Sequence, residues 1–301
     1  MLGSPSQSNR TDKAVLLWDK GNIYSWDIDN NINATQIASL KELTRVSQIL
    51  QLDTHNIIAL GAQSDTINYV HLNSQTVEVL LCNGEGCCSK FDSERCHQQS
   101  SISSVVKISG ISLNSHDHVS LYFSANSAIK KFQIDDSLIQ PEVVVDLSDH
   151  VDSPGKIKTF TFNEDYSIIF LLWKPLDNEE HLLYRYHVKR KKTTGNIKIQ
   201  QKELAKISSL SENIVLGIDH KHYQLVALDF ESESISTVCL DNVTEGSPGH
   251  SDDDVSSSEC NTTPHSIIRM THDDDYIYAT DNANSILAIN NIKGLYHRLE
   301  K

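Results

Sequence analysis

Short apolar runs alternate with polar, turn-forming clusters along nearly the whole chain. Between Val46 and Leu81 four apolar runs are separated by Asp53 to Asn56, Gln63 to Asp65 and Asn73 to Gln75, which predicts four strands and three turns. The plan repeats from Val105 to Leu147, with turns at Asn114 to Asp117, Asn126 to Ser127 and Asp135 to Ser137. It repeats again from Ile157 to Leu204, with turns at Asn163 to Asp165 and Asp177 to Glu180 and a basic tip running from Lys189 through Lys192, Thr193 and Thr194 to Gly195. A further unit spans Ile207 to Leu240. Ala14 to Asp29 holds two strand-like runs about Lys20, Gly21 and Asn22, and Ile277 to Gly294 holds two more about the polar turn Asp281, Asn282 and Asn284. Residues 1–12 read as a polar tail.

Ile23, Ile67, Ile129, Leu183, Leu225 and Ile286 open the presumed third strand of successive units, at intervals of 44, 62, 54, 42 and 61 residues. A mean of about 53 suits four-stranded blades with variable loops, and no long stretch of 3.6-residue apolar period is present to supply crossover helices. The expectation is an all-β fold, a β-propeller of six blades occupying 13–301 as one domain. An incomplete or larger ring stays open, and a two-sheet sandwich is the rival, although more than twenty short strands would be many for it.

The 301 residues are 39% hydrophobic, enough for a core, and carry a formal charge of -14. Such a charge repels phosphate surfaces, so neither nucleic acid nor an anionic membrane is an expected partner. No apolar run is long enough for a membrane span, and the N-terminus shows no signal-peptide core. Cys82, Cys87, Cys88 and Cys96 crowd into one stretch, and Cys239 and Cys260 flank another. Six cysteines in two inter-blade loops suit disulfide stapling, with reduced thiols of a cytosolic protein as the other reading. A zinc site including His97 beside Cys96 lacks a C-x2-C pair. Asn9, Asn33, Asn242 and Asn261 open glycosylation sequons, which with the cysteines points to an extracellular or cell-surface protein, the alternative being cytoplasmic.

Tyr278-Ala279-Thr280-Asp281, then Ser285-Ile286 and Asn291-Ile292-Lys293-Gly294, resembles the YWTD repeat of six-bladed propellers in low-density-lipoprotein-receptor-type ectodomains, with Ala in place of Trp. Leu121-Tyr122-Phe123-Ser124 and Leu17-Trp18-Asp19 echo it faintly, Ala125 standing where the first echo would need Asp. The resemblance implies an extracellular module that binds protein ligands on one face of the disc. It also implies that Tyr278, Thr280, Asp281 and Gly294 are scaffold residues of the repeat.

His116-Asp117-His118 and Asp219-His220-Lys221-His222 have the alternation of strand-borne metal ligands but fall in predicted turns, so solvated histidines are the better reading. Asp252 to Asp254 and Asp273 to Asp275 lack the spacing of a calcium loop. Lys189 to Lys192 reads as a charged hairpin tip, with a nuclear-import or heparin-like patch as the sharper alternative. No nucleophile elbow, phosphate loop, zinc-protease or dinucleotide motif is present, so no catalytic residue and no cofactor is expected. The leading expectation is extracellular protein recognition, in a receptor or secreted protein. An intracellular propeller scaffold comes second, and a metal-dependent hydrolase on a six-bladed ring third.

Overall fold

The structure, a computed structural model, describes residues 3–4, 14–27, 34–40, 43, 46–61, 66–83, 97–99, 104–110, 118–134, 141–149, 151, 154–177, 180–200, 202–222, 224–238, 267–272, 276–281 and 286–290. Two compact units are present, Met1–Gln200 and Gln201–Lys301. In the first unit, β1 (Gly3–Ser4) precedes a three-stranded sheet of β2 (Ala14–Asp19), β3 (Asn22–Asp27) and β4 (Thr35–Ser39). An antiparallel meander follows, β5 (Val46–Gln51), β6 (Asn56–Gly61), β7 (Thr66–His71) and β8 (Thr76–Asn83), to which β9 (His97–Gln99) adds. Two more meanders complete this unit. The first is β10 (Ser104–Gly110), β11 (His118–Ala125), β12 (Ala128–Gln133) and β13 (Glu142–Asp146), and the second is β14 (Gly155–Phe162), β15 (Ile168–Pro175), β16 (His181–His187) and β17 (Lys192–Ile199).

The second unit holds a four-stranded meander and a three-stranded sheet. These are β18 (Leu204–Ser209), β19 (Ile214–Asp219), β20 (Gln224–Asp229) and β21 (Ser234–Thr237), then β22 (Ile267–His272), β23 (Tyr276–Asp281) and β24 (Ile286–Asn290).

Burial explains why second strands such as β15 and β19 read as continuous apolar runs. Every residue of β19 is buried, and so is all of β15 except Lys174, because both faces of these strands are covered. The last strands are exposed, as in β4, β13 and β21, and their sequences turn polar accordingly. Within the first unit, sheets pack face to face in chain order. Ile23 and Ala38 meet Ile49 and Ile57, then Leu60 and Ile67 meet Leu121 and Phe123, then Ile129 and Val145 meet Ile157 and Trp173.

The six presumed third-strand residues lie on β3, β7, β12, β16, β20 and β24 as expected, and the five with described side chains are at most 2% exposed. Directly after Ile23, Ile67 and Ile129 the register with the next strand shifts by a bulge, which re-aims the outer strand. The expected count of six four-stranded blades is corrected. Among the described residues the 24 strands include two short parallel additions, β1 on β5 and β9 on β8, and the other 22 form four four-stranded meanders and two three-stranded sheets, so six complete four-stranded blades are not present. The first and last sheets each stop at three strands.

Smaller departures have local causes. Gly3 and Ser4, in the stretch read as a free tail, pair with Ile49 and Leu50. Thr193, Thr194 and Gly195, read as part of the basic tip, lie within β17, where Gly195 pairs with Arg185. Leu204 opens β18 and does not close the preceding meander. Asp281 ends β23 and is not a turn residue.

Candidate functional site

The turn between β19 and β20 holds the most developed polar cluster among the described residues. Asp219, the last residue of β19, is completely buried, although the strand it ends is otherwise apolar. Its carboxylate accepts hydrogen bonds from the backbone amides of Glu203 at 3.0 Å and Lys221 at 3.1 Å. His222 Nδ1 lies 2.6 Å from Asp219 Oδ2, and Lys202 Nζ lies 3.6 Å from the same oxygen. The turn is closed a second way, by the His220 amide donating to the Glu203 carbonyl at 2.8 Å. Both backbone polar groups of Glu203, just before β18, are therefore fixed to the β19–β20 turn.

Burial pushes the Asp219 carboxyl up. The hydrogen bonds from His222, Glu203 and Lys221, with the charge on His222, outweigh that and hold it below the ordinary aspartate range. Chemically, a buried carboxylate that orients an imidazole through Nδ1 is the positioning half of an acid–base pair. Here its other hydrogen bonds go to backbone amides beside its own sheet and the Lys202 ammonium faces the same carboxylate, so the arrangement acts as a latch on the blade. His220, Lys221 and His222 are exposed turn residues, as their sequence reading expects. Among the described residues no group of three His, Cys, Asp or Glu side chains could hold a metal. The sequence reading missed the burial of Asp219, although Asp219 ends a second strand just as Asp19 ends β2 and Asp281 ends β23.

A second feature is the basic tip. Val188 to Lys191 form the turn between β16 and β17, and Lys189, Arg190, Lys191 and Lys192 are all exposed. The turn is rigidly held: the Val188 amide donates to Ser167 at 2.9 Å, the Lys191 amide to Val188 at 3.2 Å, and Lys191 sits at φ 49°. The same device recurs after β7 and β20. There Leu72 and Phe230 donate to His55 and Asn213 at 2.7 and 2.8 Å, and Gln75 and Glu233 take φ of 55° and 53°. Beneath the tip, hydrogen bonds from the Ser167 side chain and amide hold the Asp165 carboxyl below the usual range, and Lys189 adds to the effect.

Cys82 is completely buried on β8, and no described cysteine is free. Cys87, Cys88, Cys96, Cys239 and Cys260 lie outside the described residues, as do Asn9, Asn33, Asn242, Asn261, His116, Asp117, the acidic runs at 252–254 and 273–275, and Gly294. His118 opens β11, opposite Gly110, and His97 opens β9, opposite Leu81. Tyr278 and Thr280 pair with Ala288 and Ile286, which places the YWTD-like stretch on a second strand.

No family model matches the chain, and no curated protein does. Solved structures similar to it include a propeller domain. The nidogen/laminin complex contains a chain 13% identical, with TM-score 0.53 and 78% of each chain covered. The WD40 β-propeller domain of Doa1 is 10% identical, with TM-score 0.54, covering 96% of this chain and 78% of that one. A chain of Kuenenia stuttgartiensis hydrazine synthase is 10% identical, with TM-score 0.55, covering 98% and 78%. At these identities the likeness is one of fold, and the fold is a β-propeller.

Proposed function

We propose that the chain is a protein-recognition propeller that works outside the cell, within a receptor or secreted protein, with 13–301 as its propeller domain. The observation that carries this reading is at β8. Cys82 is buried and not a free thiol, and β9 returns the chain to β8 straight after the cysteine-rich stretch, Leu81 pairing with His97. Disulfides among Cys82, Cys87, Cys88 and Cys96, and between Cys239 and Cys260, would order loops that have few other means of ordering. A bridge closing the 239–260 loop contributes about 3 kcal/mol in the chain-entropy view. The likeness to a chain of a nidogen/laminin complex supports partner binding by such a disc. The likeness to Doa1 favours the second reading, an intracellular scaffold with reduced thiols.

Intact mass after alkylation, without and with prior reduction, tests this on protein made through a secretory route. Thiols that alkylate only after reduction, with glycan mass on Asn33, Asn242 or Asn261, are expected. Six thiols alkylated without reduction and no glycan would overturn the extracellular reading in favour of the scaffold.

A further inference from the structure

Among the strands that end a sheet, β17 combines length with positive charge. It has eight residues, as the fourth strand β8 has beneath its added strand β9, against five in β4, five in β13, four in β21 and five in β24, and it is left at the edge of its sheet. Ile197 and Ile199 are buried and anchor it, while Lys192, Asn196 and Lys198 are exposed. Lys189, Arg190 and Lys191 extend this basic edge at the tip, and among the described residues none of these five cations makes an ion pair. On a chain of net charge -14 such an edge is a local reversal of sign.

We propose that β17 is a docking edge for an extended acidic segment of a partner protein, which adds to the sheet as a further strand. The proposal rests on the protein-recognition reading above and names its partner's chemistry. The chain itself supplies a precedent, since β8, the corresponding strand of an earlier sheet, takes β9 as an added strand. An open strand edge offers unpaired N–H and C=O groups that a peptide can satisfy and a polysaccharide cannot match in register. Charge then selects the peptide. Two β17 edges brought together would set lysines against lysines, whereas a strand bearing Glu or Asp would meet them favourably, so the same residues disfavour self-pairing and favour an acidic strand.

The test uses the full chain and a fluorescein-labelled eight-residue peptide of alternating Glu and Val, read by anisotropy at low and high salt and by hydrogen exchange of β17. Expected are salt-sensitive binding, new protection of amides within Lys192–Ile199, and at least about tenfold weaker binding for the K191E/K192E/K198E variant. Lys198→Glu alone, with an unchanged melting curve, gives the same direction should the triple variant misfold. No binding, binding insensitive to these variants, or binding without protection of β17 would overturn the proposal. So would a heparin fragment that binds through the same lysines while the peptide does not, which would make the edge a polysaccharide site. Failure here with thiols blocked to alkylation removes this edge alone and leaves the extracellular reading standing.

Discussion

Replacing Asp219 with alanine removes acceptors for two backbone amides, at 3.0 and 3.1 Å, and the partner of His222 at 2.6 Å. Hydrogen bonds to a charged group contribute about 1.5–3 kcal/mol each, but all of these end on one carboxylate and are coupled, so the sum is much less than additive. The expected cost is about 3 kcal/mol. Asp219→Asn keeps one carbonyl oxygen for the two amides but loses the charge and the second acceptor oxygen that faces His222 and Lys202, so its cost is about 1–2 kcal/mol. Hydrogen exchange read at the Glu203 and Lys221 amides is the suitable assay, because the chain holds two compact units and global unfolding need not be two-state. The alanine variant is expected to speed exchange there by roughly a hundredfold, and the asparagine variant by about tenfold. A double-mutant cycle with His222→Ala isolates the pair. Exchange in Asp219→Ala within about twofold of wild type would refute the latch.

The sign of the acid response follows from the depressed carboxyl of Asp219. Its stabilisation is fully present above the unfolded aspartate value of about 3.9 and is lost as pH falls through the lower folded value, so Asp219→Asn should flatten an acid titration of stability in that window. Gly21 sits at φ 91°, and a Cβ there would lie 2.6 Å from the Leu40 carbonyl oxygen, so Gly21→Ala should lower thermal stability by about 2 kcal/mol or more. Gly217→Ala is the contrast: the nearest atoms to its Cβ are the side-chain ends of Leu204 and Leu228, no nearer than 3.1 Å, and a stability loss under about 1 kcal/mol is expected from its melting curve. Leu216→Ala, at a fully buried position of β19, should cost about 2–5 kcal/mol by denaturant titration.

What the sequence made legible was set by burial. Runs such as Ile168 to Trp173 and Ile214 to Ile218 sit where both faces are covered, so hydrophobicity alone marks them as strands. Thr35–Ser39 escaped notice because one residue in five is buried and the strand is held by its neighbour's hydrogen bonds. His97–Gln99 is polar and three residues long, a strand only because β8 is beside it. Burial of a polar side chain is hidden in the same way. Asp19 and Asp219 both end second strands before a turn, yet Asp19 is exposed and Asp219 is wholly enclosed, and the difference lies in Glu203, sixteen residues away. Gln75, Lys191 and Glu233 adopt left-handed backbone with no glycine to announce it. The buried apolar residue opening the turns after β7 and β20, Leu72 and Phe230, was the available signal.

The three recurrent bonds from Leu72, Val188 and Phe230 to His55, Ser167 and Asn213 each tie the turn after a third strand to the residue before the second. Every such bond closes within one meander, so none depends on how much chain separates one sheet from the next. The spacing of the third-strand residues can therefore drift between 42 and 62 without disturbing any of them. In evolutionary terms the meander is a cassette with fixed internal wiring and an adjustable lead, and insertions between sheets should be inherited far more freely than a single residue added within one.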